Sequence, residues 1–237
     1  MSQARQGSAE GRAAETGALA RVAGTAAELA LELATELAGV GRWMAARGLL
    51  PATAGNLSAR LSPAGSAPGR VLMTASGGDK GALSAADFLE LELDGPLPAR
   101  ASAETELHLL LYRRERAVAA VLHGHSVAST LISLRHAAAG QLSLQGYELI
   151  KAFAGVPSHE TPVALPIVAN GQDMVALAAE VGARLDRPPA GGIWAPGLLL
   201  AGHGLYAWGD SVAAARRHLE ALEFLLQCEL QRHRSDA

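Results

Sequence analysis

One cysteine, Cys228, is all the thiol this 237-residue chain contains. That excludes an intrachain disulfide and fits a reducing, cytoplasmic setting. The thiol lies in an apolar helical stretch, so it reads as packing and not as a nucleophile. Positive charge is not in excess either: 20 Lys and Arg stand against 23 Asp and Glu, a net charge of −3. The chain therefore carries neither a basic footprint for nucleic acid nor a polybasic patch for a membrane surface. No apolar run is long enough to cross a bilayer, and the first residues lack the apolar core of a secretion signal. Aromatics are scarce at 4%, and Trp194, Trp208 and Tyr147 read as packing. There is no internal repeat and no clear domain break.

What remains is a globular composition, with 49% hydrophobic and 18% charged residues, and enough length for a sizeable core. Residues 1–24 have little apolar periodicity and read as a mobile N-terminal tail. Residues 25–237 read as one domain. Thr25-Ala26-Ala27-Glu28 has the form of a capping box opening a helix, with Leu29, Leu33 and Leu37 as its buried stripe and Glu28, Glu32 and Glu36 as a solvated face. Residues 52–61 and Arg70–Thr74 read as a hairpin across a Gly/Pro/Ser turn at 63–69, and 89–93 as a half-exposed strand. A helix opens at 102–106, others span 126–134 and 171–185, and a last one runs from Asp210 to about Arg232. Val163–Val168 reads as a strand, with Pro162 and Pro166 arguing for an edge. Short strands in hairpins mixed with helices predict a three-layer α/β/α domain with a mainly antiparallel sheet.

The chemistry-bearing stretch is Val118-Ala119-Ala120-Val121-Leu122-His123-Gly124-His125. Val118–Leu122 reads as a buried strand, and residues i and i+2 of an extended chain point to one face. Two imidazoles on one face can grip one metal ion, and Gly124 leaves room beside the backbone. His203, between Gly202 and Gly204 after another apolar run, supplies a third ligand, the number a catalytic zinc site uses while keeping a position open. Histidines also satisfy themselves in cores, and His108, His218, His136, His159 and His233 need no function. Ala75-Ser76-Gly77-Gly78-Asp79-Lys80-Gly81 is a turn whose amides, hydroxyl and lysine can cradle an anion.

In order and spacing, Thr53-Ala54-Gly55-Asn56-Leu57-Ser58-Ala59-Arg60, Thr74-Ala75-Ser76-Gly77, Ser102-Ala103-Glu104, His123-Gly124-His125 and Gly202-His203-Gly204 resemble the class II aldolase/adducin family over about residues 25–232. Ser76–Gly81, Gln145–Lys151 and Gly204–Gly209 look most like its sugar-phosphate dehydratase branch. The resemblance implies a class II aldolase-like fold and a zinc enzyme, one Zn2+ per subunit, held by His123, His125 and His203. It implies a cyclic homotetramer with sites near subunit interfaces and a small phosphorylated ketose as substrate, its phosphate bound around Asn56, Ser76, Gly77 and Ser102 with Lys80 nearby. Glu148 falls where the dehydratases carry their general acid/base and Glu104 where the aldolases carry theirs. The expected reaction is dehydration in methionine salvage. The alternatives are a sugar-phosphate aldolase or epimerase on the same scaffold and a non-catalytic adducin-like interaction domain.

Overall fold

Alternation along single strands sets the layers of the molecule, described here from a computed structural model that covers residues 6–62, 69–189 and 192–235. In chain order the elements are α1 (Gln6–Ala46), β1 (Asn56–Arg60), β2 (Arg70–Thr74), β3 (Phe88–Glu92), α2 (Thr105–Arg114), β4 (Ala120–Gly124), α3 (Val127–His136), β5 (Gln141–Leu144), β6 (Val163–Val168), α4 (Met174–Leu185), β7 (Ile193–Trp194), β8 (Gly197–Leu200), β9 (Leu205–Gly209) and α5 (Val212–Ser235). The strands form one sheet in the order β3-β2-β1-β4-β9-β8-β6-β5, with β7 beside β6. All pairings are antiparallel except β6 with β7 and with β8. The fold is therefore α/β with a mixed, mainly antiparallel central sheet.

Leu57, Ala59, Ala120, Leu122, Leu205 and Ala207 pack on one face, together with side chains of α1, α3 and α5. Val71, Met73, Val121, Leu198, Leu200 and Tyr206 pack on the other, against Leu107, Leu109 and Leu111 of α2 and Leu177 and Val181 of α4. The period of two along each strand thus builds two separate cores, one on each side of the sheet. Ser126 caps α3, its hydroxyl accepting from Ser129 N, and Asp173 caps α4 through Val175 N and Ala176 N.

The structure departs from the sequence reading in several places. The first helix runs from Gln6, so Thr25 lies inside it and not at its start. Leu29 is 42% exposed, and among the described side chains of this helix, from residue 26 on, the first buried one is Ala34. β6 is an interior strand, buried at all six positions. Pro166 is tolerated there because it lies opposite Gln141, the first residue of β5, where a missing N–H costs only the end of a ladder. Residues 63–68 of the expected turn, 190–191 of the expected loop and 1–5 of the expected tail lie outside the described residues.

The candidate metal ligands sit along the edge formed by one end of the central strands. β1 and β4 are antiparallel with Asn56 opposite His123. Thr74, at the end of β2, and Leu205, at the start of β9, reach the same edge. The Ser76 turn follows β2, and the β8–β9 turn carries His203.

Candidate functional site

His123 is the penultimate residue of β4, one step further into the strand than the apolar run alone predicts. It is fully buried, its ring stacked on Tyr206 with centroids 3.9 Å apart. His125 follows the strand end, its backbone N–H donating to Leu49 O. The ligand nitrogens of His123, His125 and His203 lie within 4.8 Å of one another. Their rings are oriented by their own Nδ1 hydrogen bonds: His123 donates to Leu205 O at 3.1 Å, His125 to His203 O at 3.3 Å, and His203 to Asn170 Oδ1 at 3.3 Å. Each Nε2 then carries the lone pair, the tautomer a metal ligand requires. His123 Nε2 is buried without a hydrogen-bond partner. Burial, then the neighbouring His123 and His203, push the His125 pKa down to about 4, so this ligand is neutral at pH 7. A buried, orphaned imidazole nitrogen with two more beside it fits a divalent cation of the zinc type.

Glycine makes this convergence possible. A Cβ on Gly204 would lie 2.5 Å from Gly124 O and 2.9 Å from His123 Cε1, and one on Gly124 would lie 2.9 Å from Leu49 O.

Glu104 reaches the cluster from the start of α2. Its Oε1 lies 2.9 Å from His203 Nε2 and 3.5 Å from His123 Nε2, and its Oε2 accepts from Asn56 Nδ2. Burial raises its pKa, but the adjacent His123 and His203 outweigh that and hold it well below the usual carboxylate range. Asn56 is 2% exposed, and its carboxamide is engaged at both ends, with His108 Nε2 at its Oδ1.

The Ser76 turn lies beside the cluster. An isolated bridge between Ala75 and Ala101 ties it to the segment carrying Ser102, and Ser76 N donates to Arg100 O. Gly77 has φ +83°, and a Cβ there would meet nothing within 4 Å, so the space beside its Cα is open. Lys80 is buried and donates to Gly78 O at 2.9 Å, bracing the turn. Burial lowers its pKa, with Glu104 and Asp79 opposing.

Glu148 is not part of this convergence. It opens a short 3-10 turn over Glu148–Ala152, its side chain is 73% exposed, and it pairs with Lys151 at 2.5 Å and His159 at 3.7 Å. The hydrogen bond from Lys151 lowers its pKa.

Sequence reasoning missed Asn170 and Tyr206, which orient His203 and His123, and the role of His108. A further feature is an apolar cavity of about 350 Å³ with His125 on its wall and Gly48, Pro51, Val127, Thr130 and Leu131 around it.

A family model described as Class II Aldolase and Adducin N-terminal domain matches residues 35–230. Among curated proteins, a methylthioribulose-1-phosphate dehydratase from a Bradyrhizobium species is 48% identical over 217 residues, covering 90% of this chain and 97% of its own length. A second of that name from Acidiphilium cryptum is 48% identical over 204 residues, covering 85% and 91%. Among solved structures, an l-fuculose-1-phosphate aldolase from Thermus thermophilus superposes with a TM-score of 0.67 at 28% identity, covering 90% of this chain and 99% of that one.

Proposed function

The chain belongs to the class II aldolase and adducin family, and on that premise we propose that it is a hydro-lyase that removes water from 5-methylthioribulose 1-phosphate to give 2,3-diketo-5-methylthiopentyl 1-phosphate, a step of methionine salvage. One observation carries the reading. Three oriented imidazoles and a carboxylate converge at one sheet edge, in a chain 48% identical to proteins of that name over nearly their whole length.

His123, His125 and His203 hold one Zn2+ per subunit, which supplies Lewis-acid polarisation of the substrate carbonyl at C2. Around it the chain's own residues bind, orient and move protons. Glu148 takes the proton from C3 and returns it to the hydroxyl leaving C4, so C3–H and C4–OH depart as water. The remaining enol gives up its C3 hydroxyl proton as C4 gains one, which leaves the diketone. Lys151 keeps Glu148 ionised and able to accept that proton. Glu104 is the second acid/base. The phosphate is held around Asn56, Ser76, Gly77 and Ser102 with Lys80 behind the turn, and it fixes the reacting carbons against the histidines.

The apolar cavity beside His125 suits the opposite end of the substrate. The catalytic unit is residues 25–237, which the family match over 35–230 supports, acting as a cytoplasmic homotetramer.

A second reading, a sugar-phosphate aldolase or epimerase, is favoured by the contact of Glu104, and not Glu148, with the histidines. Purified protein offered methylthioribulose 1-phosphate and, separately, a phosphorylated deoxy-sugar distinguishes the two. The dehydratase reading expects loss of water from the first substrate alone, abolished by a chelator and restored by zinc. Cleavage of the second with no turnover of the first overturns it. A non-catalytic interaction domain would turn over neither.

A further inference from the structure

Behind Glu104 lies a buried string of polar side chains, of which the reaction scheme uses only Asn56. Glu104, His108 and Tyr112 are spaced four apart along α2 and share one helix face. Asn56 and Ser58 are two apart on β1 and point to that same side of the sheet. His108 and Ser58 are fully buried, Tyr112 is 1% exposed and Asn56 2%. Tyr112 Oη lies 2.8 Å from Ser58 Oγ, Ser58 Oγ 2.7 Å from His108 Nδ1, and His108 Nε2 2.5 Å from Asn56 Oδ1. Asn56 Nδ2 completes the string at Glu104 Oε2.

Donor and acceptor chemistry gives this string one direction. Asn56 presents its NH2 to Glu104 Oε2 and its carbonyl oxygen to His108 Nε2, and an amide nitrogen only donates while its oxygen only accepts. His108 must then carry its proton on Nε2. Burial first, and His123 second, push its pKa down to about 3, so the ring is neutral and Nδ1 is an acceptor. The single hydroxyl proton of Ser58 goes to Nδ1, and Ser58 accepts in turn from Tyr112. Burial raises the Tyr112 pKa and keeps the phenol protonated. Reversing any member sets two acceptors or two donors against each other.

We propose that His108 is a positioning residue: through Asn56 it fixes Glu104 Oε2 and so commits Oε1 to the histidine cluster. Without the donor at His108 Nε2, the Asn56 amide is free to turn and bring its carbonyl against the carboxylate. The consequence for turnover rests on the dehydratase reading; the direction of the string does not.

The test pairs two readouts. His108→Phe keeps the ring volume against Tyr206 but has no donor, while His108→Gln offers an N–H and a carbonyl in nearly the same places. Outer-shell partners typically contribute ~10–100-fold. On methylthioribulose 1-phosphate, His108→Phe should lower kcat by about that factor, with KM and zinc content near wild type, and His108→Gln should recover most of the loss. A purely structural role would lower Tm in both variants and leave kcat unchanged, which would overturn the proposal. Should His108→Phe not fold, Ser58→Ala retains the ring but frees its tautomer, and it should lower kcat severalfold. Independently of activity, 15N NMR of the metal-free protein at neutral pH should find the His108 ring protonated at Nε2. A proton at Nδ1 would refute the string even if the protein turned over no substrate at all.

Discussion

Gly204→Ala is the smallest change that should open the histidine cluster without touching a ligand. The new Cβ would lie 2.5 Å from Gly124 O, 2.9 Å from His123 Cε1 and 3.2 Å from His125 Nδ1. The first of these is backbone, with no rotamer to yield. An ordinary carbon–oxygen contact is ~3.3 Å, so the end of β4 and the turn carrying His203 must separate by about 0.8 Å. Metal–ligand distances tolerate roughly 0.2 Å, so the separation exceeds what three ligands can absorb together. Zinc affinity should fall by at least ~10–100-fold, the range seen when outer-shell support is lost. Overpacking itself costs ~1–3 kcal/mol, or ~2–4 °C of Tm per kcal/mol for a chain of this size. Competition with a chromogenic chelator reads the affinity. Thermal unfolding with and without zinc reads the linkage, since a ligand that binds only the folded state raises Tm. The zinc-induced rise in Tm should shrink in Gly204→Ala, while Gly171→Ala, whose Cβ meets nothing within 4 Å, should keep it whole. Zinc bound by Gly204→Ala within twofold of wild type would refute the geometry.

Glu148→Gln retains shape but accepts no proton, so kcat and deuterium exchange at C3 should fall ~10²–10⁴-fold with normal zinc content, and Glu104→Gln should cost less; the reverse order of effects favours the aldolase-like reading. Gly77→Val puts a β-branched residue at φ +83°, where it is an outlier, and fills the open space over the turn. Its KM for the phosphorylated substrate should rise about tenfold or more, and equal turnover of the dephosphorylated ketose by the wild type would show that the turn does not hold the phosphate. His108 gives a pH prediction. Its pKa is about 3 in the folded chain against ~6.5 unfolded, so the unfolded state binds more protons and stability falls as pH drops below about 6.5. Urea unfolding of the metal-free protein should lose on the order of 2 kcal/mol less between pH 7 and 5 in His108→Phe than in wild type; equal losses would mean that His108 does not resist protonation.

What the sequence makes legible here is local, and what it hides is paired across distance. His123 and His125 are readable because two-residue periodicity at the end of an apolar run is a property of five adjacent residues. His203 is readable because its flanking glycines mark a turn. Pro166 misleads because its cost depends on which strand lies beside it, and the pairing with Gln141 cannot be seen from 163–168 alone. Leu29 misleads for a related reason: a leucine stripe predicts which face of a helix turns inward but not how far along the helix there is something to pack on. The Glu104, His108, Tyr112 spacing was in plain view, yet a spacing of four on a helix is what any packed face shows. Its meaning lies in Asn56 and Ser58, 48 and 54 residues away from Glu104 and Tyr112, and in the polar identity of all five at positions that burial would otherwise fill with apolar side chains.

Those five polar groups bear on the choice between the two glutamates. Burying Asn56, Ser58, His108 and Tyr112 in a core layer that could have been leucine and valine is costly unless every hydrogen bond is made, and here each one along the string is. Such a network gives no stability advantage over an apolar layer of the same volume, so what it adds is a fixed orientation at its open end. That end is Glu104 Oε2. Glu148 has no comparable support: one exposed lysine and one half-exposed histidine touch it. A group that must take a proton from C3 and return it to a leaving hydroxyl has to move between two positions, and loose support suits that role. A group that must present one oxygen to two imidazoles, those of His203 and His123, has to stay still. The division of labour we propose, Glu104 held from behind and Glu148 exposed and paired only with Lys151 and His159, is what the paired Gln variants measure, through whether C3 exchange survives when overall turnover does not.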